Sequence, residues 1–117
     1  MTELSVQRER YAKSLKHDLD SLVQQLSSMP AVQKVILFGS YITERRDLFT
    51  DLDLLVVMDS PLDFLARGVE LARHLRAVVA LDLLVYTPQE IKQMRDRPFL
   101  RHVLNTGRVL YERKRQD

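Results

Sequence analysis

The stretch from Gly39 to Val57 reads GSYITERRDLFTDLDLLVV, and it decides the fold. It begins with a Gly-Ser pair and ends in an apolar run that Asp51 and Asp53 open. A carboxylate in or beside a hydrophobic sheet is costly unless a cation or a basic partner compensates its charge. The Gly-Ser turn nearby indicates that a phosphate group accompanies this cation, because glycine lets the backbone approach a ligand closely.

The carboxylates of this stretch are predicted to share one face of a strand. Side chains alternate along a strand, so Asp51 and Asp53 point the same way, with Cα atoms roughly 6.5 Å apart. Asp82 interrupts a second apolar run, from Val78 to Tyr86. If the two strands are neighbours, three carboxylates converge, and divalent ions relieve their repulsion. Oxygen ligands favour Mg²⁺ or Mn²⁺ over zinc, so we predict a two-ion site held by Asp51, Asp53 and Asp82.

The Gly-Ser pair is the second half of the predicted site. Ser40 offers a hydroxyl and a backbone N–H at a predicted helix N-terminus, where anions are favoured. A phosphate chain held by Gly39 and Ser40 can then be bridged by metal to the aspartates. Each part alone has an ordinary explanation: a helix cap at Ser40, a solvated strand edge, or an aspartate paired with arginine. Only their order and spacing together predict a functional site.

Helices are predicted to alternate with apolar strands. We expect an N-terminal helix over about residues 5–29, stopped by Pro30, and a core over about 30–113. Strands are expected at 35–38, 51–58 and 78–86, with a further strand at 108–112 and a short helix or turn at 40–47. This α/β (α+β) pattern predicts a small mixed sheet with helices packed against it.

Three local signals predict how the later helices begin and end. Ser60 and Pro61 resemble a helix start, followed by an inward apolar stripe of Leu62, Leu65, Val69, Ala72 and Leu75. Thr87 and Glu90 have the spacing of a capping box. Gly107 is expected to end a helix near 99–105 in the left-handed conformation.

Size and composition describe an ordinary globular protein. At 117 residues, we expect one domain spanning 1–117. The chain has no cysteine, which excludes disulfides and cysteine zinc sites and favours the cytoplasm. No run of eighteen apolar residues is present, so no membrane span is expected. The formal charge of +2 gives no strong nucleic-acid signal, and an RNA-directed activity would need a basic groove.

The deciding stretch resembles the nucleotidyltransferase signature of the DNA polymerase β superfamily. In that signature Gly-Ser precedes Ser or Thr, then Asp-x-Asp and an apolar run. Here ten residues ending in Thr50 separate Gly39-Ser40 from the segment DLDLLV at 51–56. The short length is similar to minimal (MNT-type) nucleotidyltransferases of bacteria and archaea, and the stretch LDLLVYTPQEIKQMRDRPFLRHVLNTGRVLYER also resembles their tail. The resemblance covers about residues 30–113, most of the chain.

The resemblance implies a polymerase β-like fold and transfer of a nucleoside monophosphate from an NTP to a hydroxyl acceptor. Asp51 and Asp53 would bind both Mg²⁺ ions, for which Mn²⁺ can substitute, and Asp82 would ligate the catalytic ion and help activate the acceptor. Gly39 and Ser40 would hold the triphosphate. One segment departs from the family: Thr43 replaces a usual basic residue and Glu44 a usual glycine, which adds negative charge where phosphates approach.

Two functions remain open from the sequence. The first is an enzyme that transfers AMP from ATP, with the acceptor site supplied by a partner or a second copy. The resemblance implies a helical HEPN-type partner, because minimal relatives act as antitoxins of such toxins, in some cases by adenylylating a tyrosine of the toxin. The second is a binding module with weak or no catalysis that neutralises its partner by masking. The altered segment from Tyr41 to Glu44 motivates the second function, and the amphipathic N-terminal helix could supply its interface.

Overall fold

A computed structural model describes residues 2–39, 41 and 51–114 of the chain. The expected turn or helix at 40–47, and Ser40 itself, lie outside the described residues apart from Tyr41. The described elements are α1 (Glu3–Ser27), β1 (Val32–Phe38), β2 (Leu52–Met58), α2 (Phe64–Arg73), β3 (Leu81–Tyr86), α3 (Pro88–Met94), α4 (Pro98–Thr106) and β4 (Arg108–Glu112).

These strands form one mixed sheet in the order β3-β2-β1-β4, which confirms the predicted fold class. β1 runs antiparallel to both of its neighbours, and β2 runs parallel to β3. The four residues Leu54–Val57 of β2 are all buried. A central strand covered on both faces has this continuous apolar pattern.

The first face of the sheet packs against α1. Four leucines at helical spacing enter the core from this helix: Leu15, Leu19, Leu22 and Leu26. Residues 3–14 contribute no fully buried side chain, although Tyr11 is partly buried against the core, so the second half of α1 supplies most of its packing. The helix ends at Ser27, two residues earlier than predicted, because Ser28 caps it before Pro30.

The second face packs against α3 and α4. Ile36 of β1 and Leu55 of β2 meet Leu100 and Val103 of α4 in a separate apolar cluster. The predicted capping box begins α3: the Thr87 hydroxyl accepts from the Glu90 N–H, and the Glu90 carboxylate accepts from the Thr87 N–H.

The predicted start of α2 is wrong, and of the predicted inward stripe only Leu75 packs against the core. Asp63, not Ser60, caps the helix, and the Ser60 hydroxyl instead accepts from the Leu62 N–H in a turn. Leu65 is 77% exposed and Val69 is 57% exposed. The inward residues of this helix are Phe64, Arg67, Gly68, Leu71 and, just beyond its end, Leu75.

Arg67 explains why the other face of α2 turns inward. Its guanidinium donates to the Val85 carbonyl at 3.2 Å and forms a two-contact ion pair with Glu90. Gly68 also lies on this inward face, where an added β-carbon would meet the Leu83 carbonyl oxygen at an ordinary contact distance of 3.8 Å. α2 thus contacts β3, an edge strand of the sheet, and satisfies one of its carbonyls.

The third strand begins at Leu81 rather than Val78. A buried carboxylate on α1, that of Asp18, accepts from the N–H groups of Val78 and Val79 at 2.6 and 2.7 Å. These donors are therefore used by a side chain and not by a neighbouring strand.

The prediction of a left-handed Gly107 is also wrong. Gly107 has φ −70° and ψ 160°, because the chain passes directly from α4 into β4. Glycine is needed there for space, since a β-carbon would lie 2.6 Å from Ile36 Cγ2. The predicted strand 108–112 is confirmed as β4.

Candidate functional site

The strand register places two aspartates from different strands side by side. Asp53 of β2 is level with Asp82 of the parallel neighbour β3. Register partners on adjacent strands share a face, and their strands lie roughly 4.8 Å apart. Asp53 and Asp82 therefore project together from the second face, at the end of the sheet where β1 finishes.

Gly39 brings the turn after β1 against Asp53, one member of this pair. Its φ is +80°, and among the described residues it is the glycine with a positive φ. A β-carbon at this position would lie 2.8 Å from Asp53 Cγ and closer still to Oδ2. The position therefore needs glycine for its dihedral angle and for the approach to Asp53.

Asp51 immediately precedes β2 and is half-buried. Among the described residues, no group of three or more histidine, aspartate or glutamate side chains lies close enough to hold a metal ion. The structure therefore aligns Asp53 with Asp82 without gathering all three carboxylates into one cage. Their roles as ligands stay a prediction.

This donor set nevertheless suits Mg²⁺. That ion is usually held by one or two carboxylates together with substrate phosphates and water, and seldom by a cage made wholly of protein. Asp53 is half-buried, whereas Asp82 is exposed, so a phosphate group can approach the pair from solvent. Asp51, two residues before Asp53, stays the third ligand that the sequence predicts.

In the segment from Tyr41 to Glu44, which departs from the family pattern, Tyr41 is the residue that the structure describes. It is buried, with 6% of its surface exposed, and belongs to the core cluster beneath α1. A core role thus accounts for an aromatic residue at this position. Thr43 and Glu44 lie outside the described residues.

The sequence pattern did not predict the ion pair between Arg67 and Glu90. The hydrogen bond from the Arg67 guanidinium is the main cause that lowers the pKa of Glu90 to about 2, and the same bond raises the pKa of Arg67. The pair lies near Val85 and Thr87, at the opposite end of β3 from Asp82. Its position makes it a structural clamp between α2 and α3. The capping box was the available sequence signal for this ion pair, because it placed Glu90 close to the end of β3.

The sequence pattern also did not predict an aromatic pair next to Asp53. Phe38, the last residue of β1, lies opposite Asp53 in the antiparallel register and thus shares its face. The Phe99 ring of α4 meets the Phe38 ring edge to face, with centroids 5.8 Å apart. No local pattern in the sequence joins residues 38 and 99, because only the packing of α4 on β1 brings them together.

Comparison with known families now adds to this geometry. The model of the family described as "Polymerase beta, Nucleotidyltransferase" matches residues 20–116, most of the chain. The chain belongs to this nucleotidyltransferase family. Its match includes the Gly39 turn, β2 with Asp53 and β3 with Asp82. No relative was found among the curated proteins.

Solved structures share the fold. A candidate nucleotidyltransferase from Sulfolobus solfataricus is 19% identical, with a TM-score of 0.57, and the match covers 97% of this chain and 91% of that one. A toxin–antitoxin structure with AMP-PNP is 23% identical, with a TM-score of 0.51, over 85% of this chain and 74% of that one. A structure of the toxin–antitoxin MntA–HpeT is also 23% identical over 85% and 73%, but its TM-score of 0.47 adds nothing to the fold argument.

No described helix combines the length and hydropathy needed to cross a membrane; this applies to residues 2–39, 41 and 51–114.

Proposed function

We propose that the chain transfers a nucleoside monophosphate, AMP, from ATP to a hydroxyl group of a partner protein. The observation that carries the proposal is the alignment of Asp53 with Asp82 against the close-approaching turn at Gly39. Membership of the nucleotidyltransferase family supports the reaction class.

Each residue has a defined task in this proposal. Asp53 and Asp82, with Asp51 as a further ligand, hold two Mg²⁺ ions. The backbone at Gly39 and the hydroxyl of Ser40 position the triphosphate. When bound, Mg²⁺ neutralises charge on the phosphates and favours in-line displacement.

The reaction forms one phosphorus–oxygen bond and breaks another. The acceptor oxygen attacks the α-phosphorus, and pyrophosphate leaves with the electron pair of the broken bond. The acceptor loses its proton, and we assign the acceptance of that proton to Asp82, whose carboxylate is exposed. Asp53, half-buried against the turn, serves to fix the geometry.

The acceptor we propose is a tyrosine of a small helical HEPN-type toxin, which makes this chain the antitoxin. Support comes from the structural similarity to a toxin–antitoxin structure with AMP-PNP.

Labelling with ATP radioactive at the α-phosphate tests the proposal directly. With Mg²⁺ and a HEPN-type partner, the wild-type protein should label the partner. Asp53→Asn and Asp82→Asn should each reduce the labelling rate by at least about 100-fold, since charge stabilisation is the main catalytic term. Asp59→Asn is the matched control, because Asp59 is an exposed carboxylate beyond the other end of β2. Full labelling by the Asp53 and Asp82 variants would refute the assigned roles.

A masking module is the second candidate function, and the outer face of α2 favours it. Leu65 and Val69 are exposed, one helical turn apart, on a helix that turns its other side to the sheet. If masking suffices, the Asp53→Asn/Asp82→Asn double variant should still neutralise the toxin, whereas Leu65→Ser/Val69→Ser should not. Neutralisation that requires both aspartates would exclude masking as the mechanism.

A further inference from the structure

An exposed aromatic ring stands against Phe38, the residue opposite Asp53 in the sheet. Phe99, the second residue of α4, keeps 45% of its surface exposed, although α4 buries its neighbour Leu100 and, one turn on, Val103. The Phe99 ring does not belong to either buried core cluster. The contact that positions this ring is the edge-to-face pair with Phe38, at an interplanar angle of 83°.

Phe38 connects this ring to the site. Phe38 and Asp53 are opposite each other across the β1–β2 ladder, on the same face of the sheet. Opposed residues of antiparallel strands have Cα atoms roughly 4.5–5.5 Å apart. The row across the sheet therefore runs from the aromatic pair through Asp53 to Asp82.

We propose that Phe99, held edge-on by Phe38, is the surface on which the base of the incoming nucleoside triphosphate stacks. The proposal rests on the function proposed above, because it assumes that the triphosphate is held at Gly39 and the aspartates. A nucleotide anchored there by its phosphates has a planar base to place nearby, and Phe99 offers an accessible aromatic ring. Rings that pair edge to face leave a face of one partner free for stacking.

Stacking on a phenyl ring predicts a definite selectivity. Every base has a π-face, so an aromatic platform tolerates different bases. Purines cover more of the ring than pyrimidines do. ATP and GTP should therefore bind with similar affinity, and both should bind more tightly than CTP or UTP.

Calorimetry with two ligands tests the proposal on the full chain. The probes are ATP and inorganic tripolyphosphate, each with Mg²⁺, and the variant is Phe99→Leu. The variant should bind ATP about tenfold more weakly, from the usual contribution of a stacked base, and should bind tripolyphosphate as the wild type does. Phe99→Tyr should bind ATP as the wild type does, and Val78→Ala, at an apolar side chain that is 87% exposed, should change neither affinity.

A fluorescent base provides an independent readout. 2-Aminopurine riboside triphosphate loses fluorescence when its base stacks, and the chain contains no tryptophan that would interfere. Wild-type protein and Phe99→Tyr should quench this fluorescence, whereas Phe99→Leu at saturation should not.

The outcomes separate this inference from the proposed function. If the wild type binds neither ATP nor tripolyphosphate, the nucleotide site itself is refuted. If the wild type binds both and Phe99→Leu binds ATP equally well, only the stacking role is overturned. An equal loss of affinity for both ligands in Phe99→Leu also overturns it, because that result indicates a displaced phosphate site.

Discussion

Gly39 is the residue on which the local geometry depends most. Alanine there meets two obstacles: a left-handed dihedral angle, which costs about 1–2 kcal/mol, and the carboxylate of Asp53. We expect Gly39→Ala to lower the labelling rate by at least about 100-fold, since a misplacement of about 1 Å is enough for such a loss. Gly68→Ala is the matched control, because its β-carbon would meet only ordinary contact at 3.8 Å. Equal rates for Gly39→Ala and the wild type would contradict this role.

Glu90 gives a second residue-scale prediction, in the pH dependence of stability. Its pKa is lowered from 4.5 to about 2, mainly by the hydrogen bond from Arg67. A lowered pKa contributes stability above pH 4.5, and this contribution disappears as the pH falls from 4.5 towards 2. We expect Glu90→Gln to lower the free energy of unfolding at pH 7 by about 2–3 kcal/mol.

Urea unfolding at several pH values measures this difference. The gap between the wild type and Glu90→Gln should shrink between pH 4.5 and pH 2. Glu70→Gln, on the exposed side of α2, should show no such change, because Glu70 makes only surface ion pairs at 3.8 and 3.9 Å. A gap that is constant with pH would contradict the assignment.

At the scale of elements, α2 shows why the inward face of a helix is hard to predict. Two apolar stripes run along this helix, and only one of them meets the sheet. The ion pair of Arg67 with Glu90 selects the inward stripe, and this contact joins residues distant in sequence. We expect Leu71→Ala to cost about 2–4 kcal/mol, whereas Leu65→Ala should change stability by less than about 0.5 kcal/mol. Thermal unfolding of both variants checks this, and the reverse order would contradict the observed face.

Other elements were predictable because their signals are local. The run of buried residues in β2, the capping box at Thr87 and the last strand 108–112 each follow from neighbouring residues. The start of β3 does not follow from neighbouring residues. The Asp18 carboxylate, some 60 residues away in sequence, accepts hydrogen bonds from the N–H groups of Val78 and Val79.

At the scale of the whole molecule, strand order makes the candidate site. The sequence predicts that Asp53 and Asp82 lie on strands, but only the parallel pairing of β2 with β3 puts them level. Phe38 joins them through the antiparallel pairing of β1 with β2, and Phe99 through the packing of α4. The aromatic part of the site therefore depended on tertiary contacts that spacing alone does not indicate.

The most direct test of the central claim is Mn²⁺ binding followed by electron paramagnetic resonance, with AMP-PNP present. If Asp53 and Asp82 share one metal site, Asp53→Asn and Asp82→Asn should each weaken Mn²⁺ binding by at least about tenfold. The double variant should bind Mn²⁺ only slightly more weakly than the single variant with the lower affinity, because the effects of residues that act as one unit are not additive. Asp59→Asn should bind as the wild type does. Undiminished Mn²⁺ affinity in the double variant would contradict the account.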